Sequence, residues 1–161
     1  MNDHTAVLPP VAVEVLLLRV SSTGGWAYRR LTTSPGHGES PDEAARRVSR
    51  VPADARHTVV HSTSWRYRPE GQVVLTYAVC PDPAPALPAV ALTDPRLATG
   101  SAPAAPTPDH IEVDNVAAHA IRHLAFLQAT DPIVRDALAA HPHLGRALDD
   151  LASMATVAGR R

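Results

Sequence analysis

The chain has 161 residues, 45% of them apolar and 19% charged, with a net charge of −1. That length and apolar fraction suit one folded domain with its own core, residues 1–161, and a near-neutral balance supplies no field that would draw in nucleic acid or an anionic membrane. Cys80 is the sole cysteine, so no disulfide can form within the chain, and a reducing compartment fits. "MNDHTAVLPP" lacks the positive leading region of a secretory signal, and the longest apolar run, "VAVEVLLL", is broken by Glu14 and too short to cross a bilayer. The expected location is the cytoplasm. Aromatics make up 4%, so the core must be built mostly from Val, Leu and Ala, and all fifteen basic residues are arginine.

"PPVAVEVLLLRV", Pro9 to Val20, reads as a buried strand delimited by two prolines. "SSTGG" is a turn, and "WAYRRL", Trp26 to Leu31, alternates apolar with polar residues as a second strand. After the loop "TTSPGHG", "ESPDEAARRVSRV" predicts a helix. Ser40 is its N-cap, Pro41 its first residue, Asp42 and Glu43 suit its positive end, and Ser40 with Glu43 has the capping-box spacing. Pro52 is expected to end it.

"RHTVVHSTSWRYR" and "QVVLTYAVC", joined by "PEG", predict a hairpin. Alternation places Val59, His61, Thr63, Trp65 and Tyr67 on one face of the first strand, and Val73, Leu75, Tyr77 and Val79 on one face of the second. Cys80 is expected to be a small buried residue at that strand's end. Residues 81–108 hold eight of the sixteen prolines and read as a long Pro/Ala-rich loop, with a short strand near "AVAL". Helices fill 114–157: "VDNVAAHAIRHLAFLQ" capped by Asp114 or Asn115, "DPIVRDALAAH" capped by Asp131 with Pro132 in its first turn, and "HLGRALDDLASMATV". "HPH", His141 to His143, links the last two.

At "GESPDEAARR" the chain resembles the Nudix hydrolase family. Gly38 and Glu39 match the family's "GE" that leads into the catalytic helix, "SPDEAAR" fills its seven-residue spacer, and Arg47 falls on the signature arginine. A leading strand pair, a Trp opening the second strand and a following hairpin agree, so the resemblance covers Val11 to Cys80 plus a C-terminal helix. It implies an α/β fold, a Nudix-like α/β/α sandwich with a mixed β-sheet and additional C-terminal helices. The chain departs from the family where the metal is held. Thr33 replaces the first signature glycine, and Val48, Val51 and Pro52 stand where three glutamates hold magnesium or manganese. A hard divalent cation needs several carboxylate oxygens, which valine and proline cannot supply.

Glu39, Glu43 and Arg47 remain as catalytic candidates. Glu39, Asp42 and Glu43 also read as ordinary charge at a helix start, and Arg47 is expected to pair with Glu43 or to face solvent. In "STSWRYR", Trp65 and Tyr67 are candidates to stack a base, and Arg66 or Arg68 to meet phosphate; an exposed strand has the same look. His119 and His123, four apart on a helix, are candidate metal ligands with His110, Glu112 or Asp114, although half-buried histidines bonded to neighbours have the same spacing.

Three functional expectations follow. The first is a Nudix-like domain that binds a nucleotide-like or other small ligand, or regulates, without metal-dependent diphosphate hydrolysis and without a cofactor. The second is a Nudix-type pyrophosphohydrolase with a rebuilt site, for which magnesium or manganese would be the cofactor. The third is a structural or dimerising protein, with Leu144, Leu148 and Leu151 as the seam of a homodimer. Nucleic acid and membrane are not expected partners.

Overall fold

A computed structural model of the chain describes residues 9–92 and 113–158, with side chains as far as Met154. In chain order it forms β1 (Val11–Val20), β2 (Trp26–Thr33), α1 (Pro41–Ser49), β3 (Val59–Arg68), β4 (Gln72–Cys80), β5 (Val90–Leu92), α2 (Val113–Thr130), α3 (Pro132–Ala139) and α4 (Pro142–Ala158). The strands make one five-stranded mixed sheet in the order β3-β4-β1-β2-β5. β1 runs parallel to β4, and the other neighbouring pairs are antiparallel.

β1 lies at the centre and is buried on both faces, as its nearly unbroken apolar run demands. Val13, Val15 and Leu17 pack with Tyr77 and Val79 of β4 against Ala44 and Ala45 of α1. Leu16 and Leu18 face the other way, into a larger core with Ile121, Leu124, Leu138, Leu144 and Leu148 from α2, α3 and α4. Helices therefore cover both faces of the sheet. Each of those fully buried leucines contributes about 1.5–3 kcal/mol relative to an exposed one.

α1 begins as its sequence predicts. Ser40 caps it, and the Ser40 and Glu43 side chains each accept from the other's backbone N–H. Its end differs from expectation. The helix stops at Ser49, three residues before Pro52, because Arg50 takes a left-handed conformation (φ 60°, ψ 38°). The Arg50 N–H then donates to Arg46 and Arg47, and the Val51 N–H donates to the Arg46 carbonyl at 3.0 Å. This closure satisfies carbonyls that would otherwise be orphaned. Val51 turns inward to the core under α1 while Pro52 is exposed.

β3 also departs from simple alternation. Val59 and His61 pair with Cys80 and Ala78, but a bulge between Ser62 and Ser64 leaves Thr63 outside the backbone register with β4. Ser64, Trp65, Arg66 and Tyr67 then pair with Thr76, Leu75, Val74 and Val73. Paired residues share a face, so the bulge sends Trp65 and Tyr67 to the α1 side, with Leu75, and brings Ser64, Arg66 and Arg68 to the side of α2. The expected single face holding Val59, His61, Thr63, Trp65 and Tyr67 is thus split at Thr63, a device that periodicity does not reveal. On β4, Val73, Leu75, Tyr77 and Val79 do share a face, and Cys80 is fully buried.

The short strand expected near "AVAL" is β5, paired with Trp26–Tyr28 of β2; the loop residues 93–108 lie outside the described residues. Asp131 caps α3 by accepting from the N–H groups of Ile133 and Val134. Asp114 is not a cap. α2 is already helical at Val113, and the Asp114 carboxylate accepts from the Tyr28 hydroxyl instead. Leu144 and Leu148 are fully buried in the chain's own core and Leu151 packs against it, so these leucines are not an open seam. The His141 ring bonds the His57 carbonyl at 2.8 Å, which ties the α3–α4 junction to the segment before β3.

Candidate functional site

The residues that carry the sequence motif gather at the loop before α1. Arg47 donates through Nε and Nη2 to the two carboxylate oxygens of Glu39, both at 2.9 Å, and its Nη2 also reaches Thr33 Oγ1 at 3.2 Å and the Ser34 carbonyl at 3.3 Å. Glu39 also accepts from the Gly36 N–H. The Arg47 fork and then this N–H hold the Glu39 carboxyl down at about 2. Arg47 therefore pairs with Glu39, and not with Glu43 or solvent, because Glu43 is engaged in the capping box. Glu39 and Arg47 together pin the loop from Thr33 to Glu39 onto the helix. Asp42 lies against the Tyr77 hydroxyl, whose pKa burial first and Asp42 second push up to about 12. Val48 packs against the core under α1 and Val51 lies within it.

A second cluster lies on the opposite face of the sheet. Glu14, in the middle of β1, is fully buried. It accepts from Arg30 Nε of β2 at 2.7 Å, from Arg66 Nη1 and Nη2 of β3 at 2.9 and 3.1 Å, and from Thr76 Oγ1 of β4 at 3.0 Å. One residue from each of three neighbouring strands thus satisfies a single buried carboxylate. Burial works to raise its pKa, but the Arg66 and then the Arg30 guanidinium outweigh that and hold it below the usual carboxylate value. A cleft of about 360 Å³ opens beside Glu14, lined also by Arg30, Thr32, Ser34, Arg68 and Gln72. Its wall includes Thr33 and Ser34, whose oxygens hold Arg47, so the two clusters meet at one loop.

A larger hollow of about 920 Å³ lies between the β1–β2 turn and α4. Its charged groups, Arg146 and Asp150, are exposed to solvent. The smaller cleft is the stronger candidate, because a buried ionised group with free neighbours to direct a ligand lies there.

The three residues expected to bind ligand together are separated. Arg66 joins Glu14, whereas Trp65 and Tyr67, 67% and 62% exposed, stand on the other face. His119 and His123 do come together, with ring centroids 6.4 Å apart, and His61 from β3 lies 5.6 Å from His123. Burial, then His61, then His119 hold the His123 pKa below its ordinary value. Asp114 is taken by Tyr28, whose pKa burial and then Asp114 push up to about 12, and His110 and Glu112 lie outside the described residues. Among the described residues, no group of three or more His, Cys, Asp or Glu side chains is placed to hold a metal ion. No helix among them is long and apolar enough to cross a membrane.

Glu14 and Arg30 were not legible as site residues. The signal was nonetheless present: a carboxylate inside a buried strand demands cationic partners, and this chain's cations are all arginine. Comparison of the chain with family models, with curated proteins and with solved structures found no match to any of them.

Proposed function

We propose that the chain is a Nudix-like domain that binds a small, nucleotide-like ligand in the cleft beside Glu14 and does not carry out metal-dependent diphosphate hydrolysis. The observation that carries this reading is the fate of the three signature positions. Val48 and Val51 pack into the core under α1, Pro52 follows a helix that has already ended, and none of them offers oxygen to a divalent cation. Glu39 and Arg47 are committed to each other, and Glu43 to its cap. Thr33 and Ser34, which hold Arg47 of that helix, meanwhile line a cleft rich in arginine and hydroxyl groups.

Incubation with ADP-ribose, dinucleoside polyphosphates and nucleoside triphosphates, plus magnesium or manganese, should give no turnover. A thermal-shift panel of nucleotides in EDTA should show stabilisation. Turnover that Glu39→Gln with Glu43→Gln abolishes would establish instead a hydrolase with a rebuilt site. Absence of any shift, with a dimer by light scattering, would favour a structural role.

A further inference from the structure

We propose that the cleft is a phosphoryl-binding site in which Arg30 and Arg68 grip a phosphate monoester directly, with no metal ion between. This deepens the reading of the cleft as a small-ligand site and rests on it.

Among the described residues, two buried carboxylates each gather two arginines, and the two clusters engage those arginines differently. Asp82 takes Arg29 through Nε and Nη2, both at 2.9 Å, and Arg19 through Nη2 at 2.6 Å, while Arg19 Nη1 is closed by the Pro85 carbonyl at 2.6 Å. That cluster ties the end of β4 to β1 and β2, with Arg19 Nε buried and unpartnered among the described residues. At Glu14, Arg66 likewise has both terminal nitrogens engaged on the carboxylate. Arg30 is different: Glu14 holds only its Nε, and among the described residues its two terminal nitrogens have no partner. The Nε bond anchors the guanidinium at Glu14 and leaves its two terminal nitrogens available on a residue that lines the cleft. Such an edge is the pre-organised fork that takes two oxygens of a phosphate. Arg68 lines the same cleft and, among the described residues, makes a single long side-chain contact, 3.5 Å to Gln72 Oε1, that leaves it able to turn toward a ligand.

Charge points the same way. Among the described residues that line the cleft or bond to Glu14, three guanidiniums, Arg30, Arg66 and Arg68, stand against the one carboxylate of Glu14, an excess of two positive charges. A dianion such as a phosphate monoester balances them; a carboxylate monoanion does not. The hydroxyls of Thr32, Thr33 and Ser34 around the rim supply further donors for phosphate oxygens. A volume of about 360 Å³ is at the small end for ligand clefts and suits a mononucleotide or a smaller phosphate ester.

The test is calorimetric titration of the full chain in EDTA with AMP and with adenosine, and with inorganic phosphate as competitor. AMP should bind, inorganic phosphate should displace it, and adenosine should bind at least tenfold more weakly, the order expected for charge-assisted bonds to a phosphate. Arg68→Gln should weaken AMP by about tenfold and leave the melting temperature of the free protein unchanged, because its native contact is marginal. Raising the salt concentration should weaken AMP and not adenosine. Adenosine binding as tightly as AMP, with Arg68→Gln without effect, would overturn the phosphoryl assignment and leave the small-ligand reading intact. Failure of AMP, adenosine and phosphate all to bind would overturn both.

Discussion

Arg66 on β3 reaches over the whole of β4 to close its two terminal nitrogens on the Glu14 carboxylate in β1, at 2.9 and 3.1 Å. The pair fastens the edge of the sheet to its centre by a route separate from the backbone ladder. Arg66→Leu removes one of two guanidiniums from a fully buried carboxylate and should cost about 2–4 kcal/mol in urea unfolding. Glu14→Leu combined with Arg66→Leu should recover part of that loss, because Arg30, on the rim, can turn to water while no carboxylate is left stranded. A double-mutant cycle reads the coupling directly.

Acid should unfold the protein over a definite interval. Glu39 is held at about 2 against an ordinary 4.5, and Glu14 and Asp82 are also held below their ordinary values. A depressed carboxyl contributes its stabilisation in full above the ordinary value and loses it as pH falls through the folded one. Unfolding free energy should therefore drop mainly from 4.5 down to about 2. A shallower decline should begin at 6.5, because burial, then His61 and His119, disfavour the charged form of His123. Urea titrations at a series of pH values check both limbs. Glu39→Gln should flatten the lower one and His123→Gln the upper.

Arg50 occupies the left-handed region that side chains other than glycine, Asn and Asp seldom adopt. It is exposed, and its backbone N–H makes the closing bonds of α1. Arg50→Gly should keep those bonds, relieve the conformational cost and stabilise the fold by about 0.5–1 kcal/mol. For a chain of this length that is a rise in melting temperature of about 1–4 °C.

Placing glutamate at positions 48 and 51 one at a time should fail to build a metal site for a physical reason. Val51 is 5% exposed and packs with Val13, Val15 and Ala45. Val51→Glu would bury a carboxylate without a partner and should cost about 2–4 kcal/mol. Val48 is only partly buried, so Val48→Glu should cost less than half as much. Neither variant should gain magnesium-dependent turnover of ADP-ribose. Differential scanning calorimetry and a phosphate-release assay report the two outcomes.

Much of the scaffold was legible because its signals are local. The capping box of α1, the Asp131–Pro132 start of α3 and the doubly buried β1 follow from adjacent residues and hydrophobic period. The site was less legible because its parts are distant in sequence. Glu14, Arg30, Arg66 and Thr76 come from four strands, and register alone brings them together. Arg47 illustrates the same limit: a helical neighbour at i−4 was the local expectation, but the loop folds Glu39 back within reach and Glu43 is occupied elsewhere. α1 ended early for a reason of the same kind, since the backbone of Arg50 is set by the inward turn of Val51 and not by the proline that follows.

Thr63 gives β3 two chemically distinct halves on each side. Upstream of it, the side of the strand toward α2 carries Val59 and His61; downstream, the same side carries guanidinium groups, while exposed indole and phenol rings stand on the side of α1. Its hydroxyl rests on the Thr76 carbonyl in a buried position, so the extra residue is anchored, not idle. Deleting Thr63 would leave Ser62 and Ser64 as consecutive residues opposite Tyr77 and Thr76, so the ladder would become regular while Arg66 stays beside Glu14. The one extra residue is what reverses the alternation: carried on unbroken from Val59 and His61, it would have brought Trp65 and Tyr67, and not Arg66, to the side of Glu14.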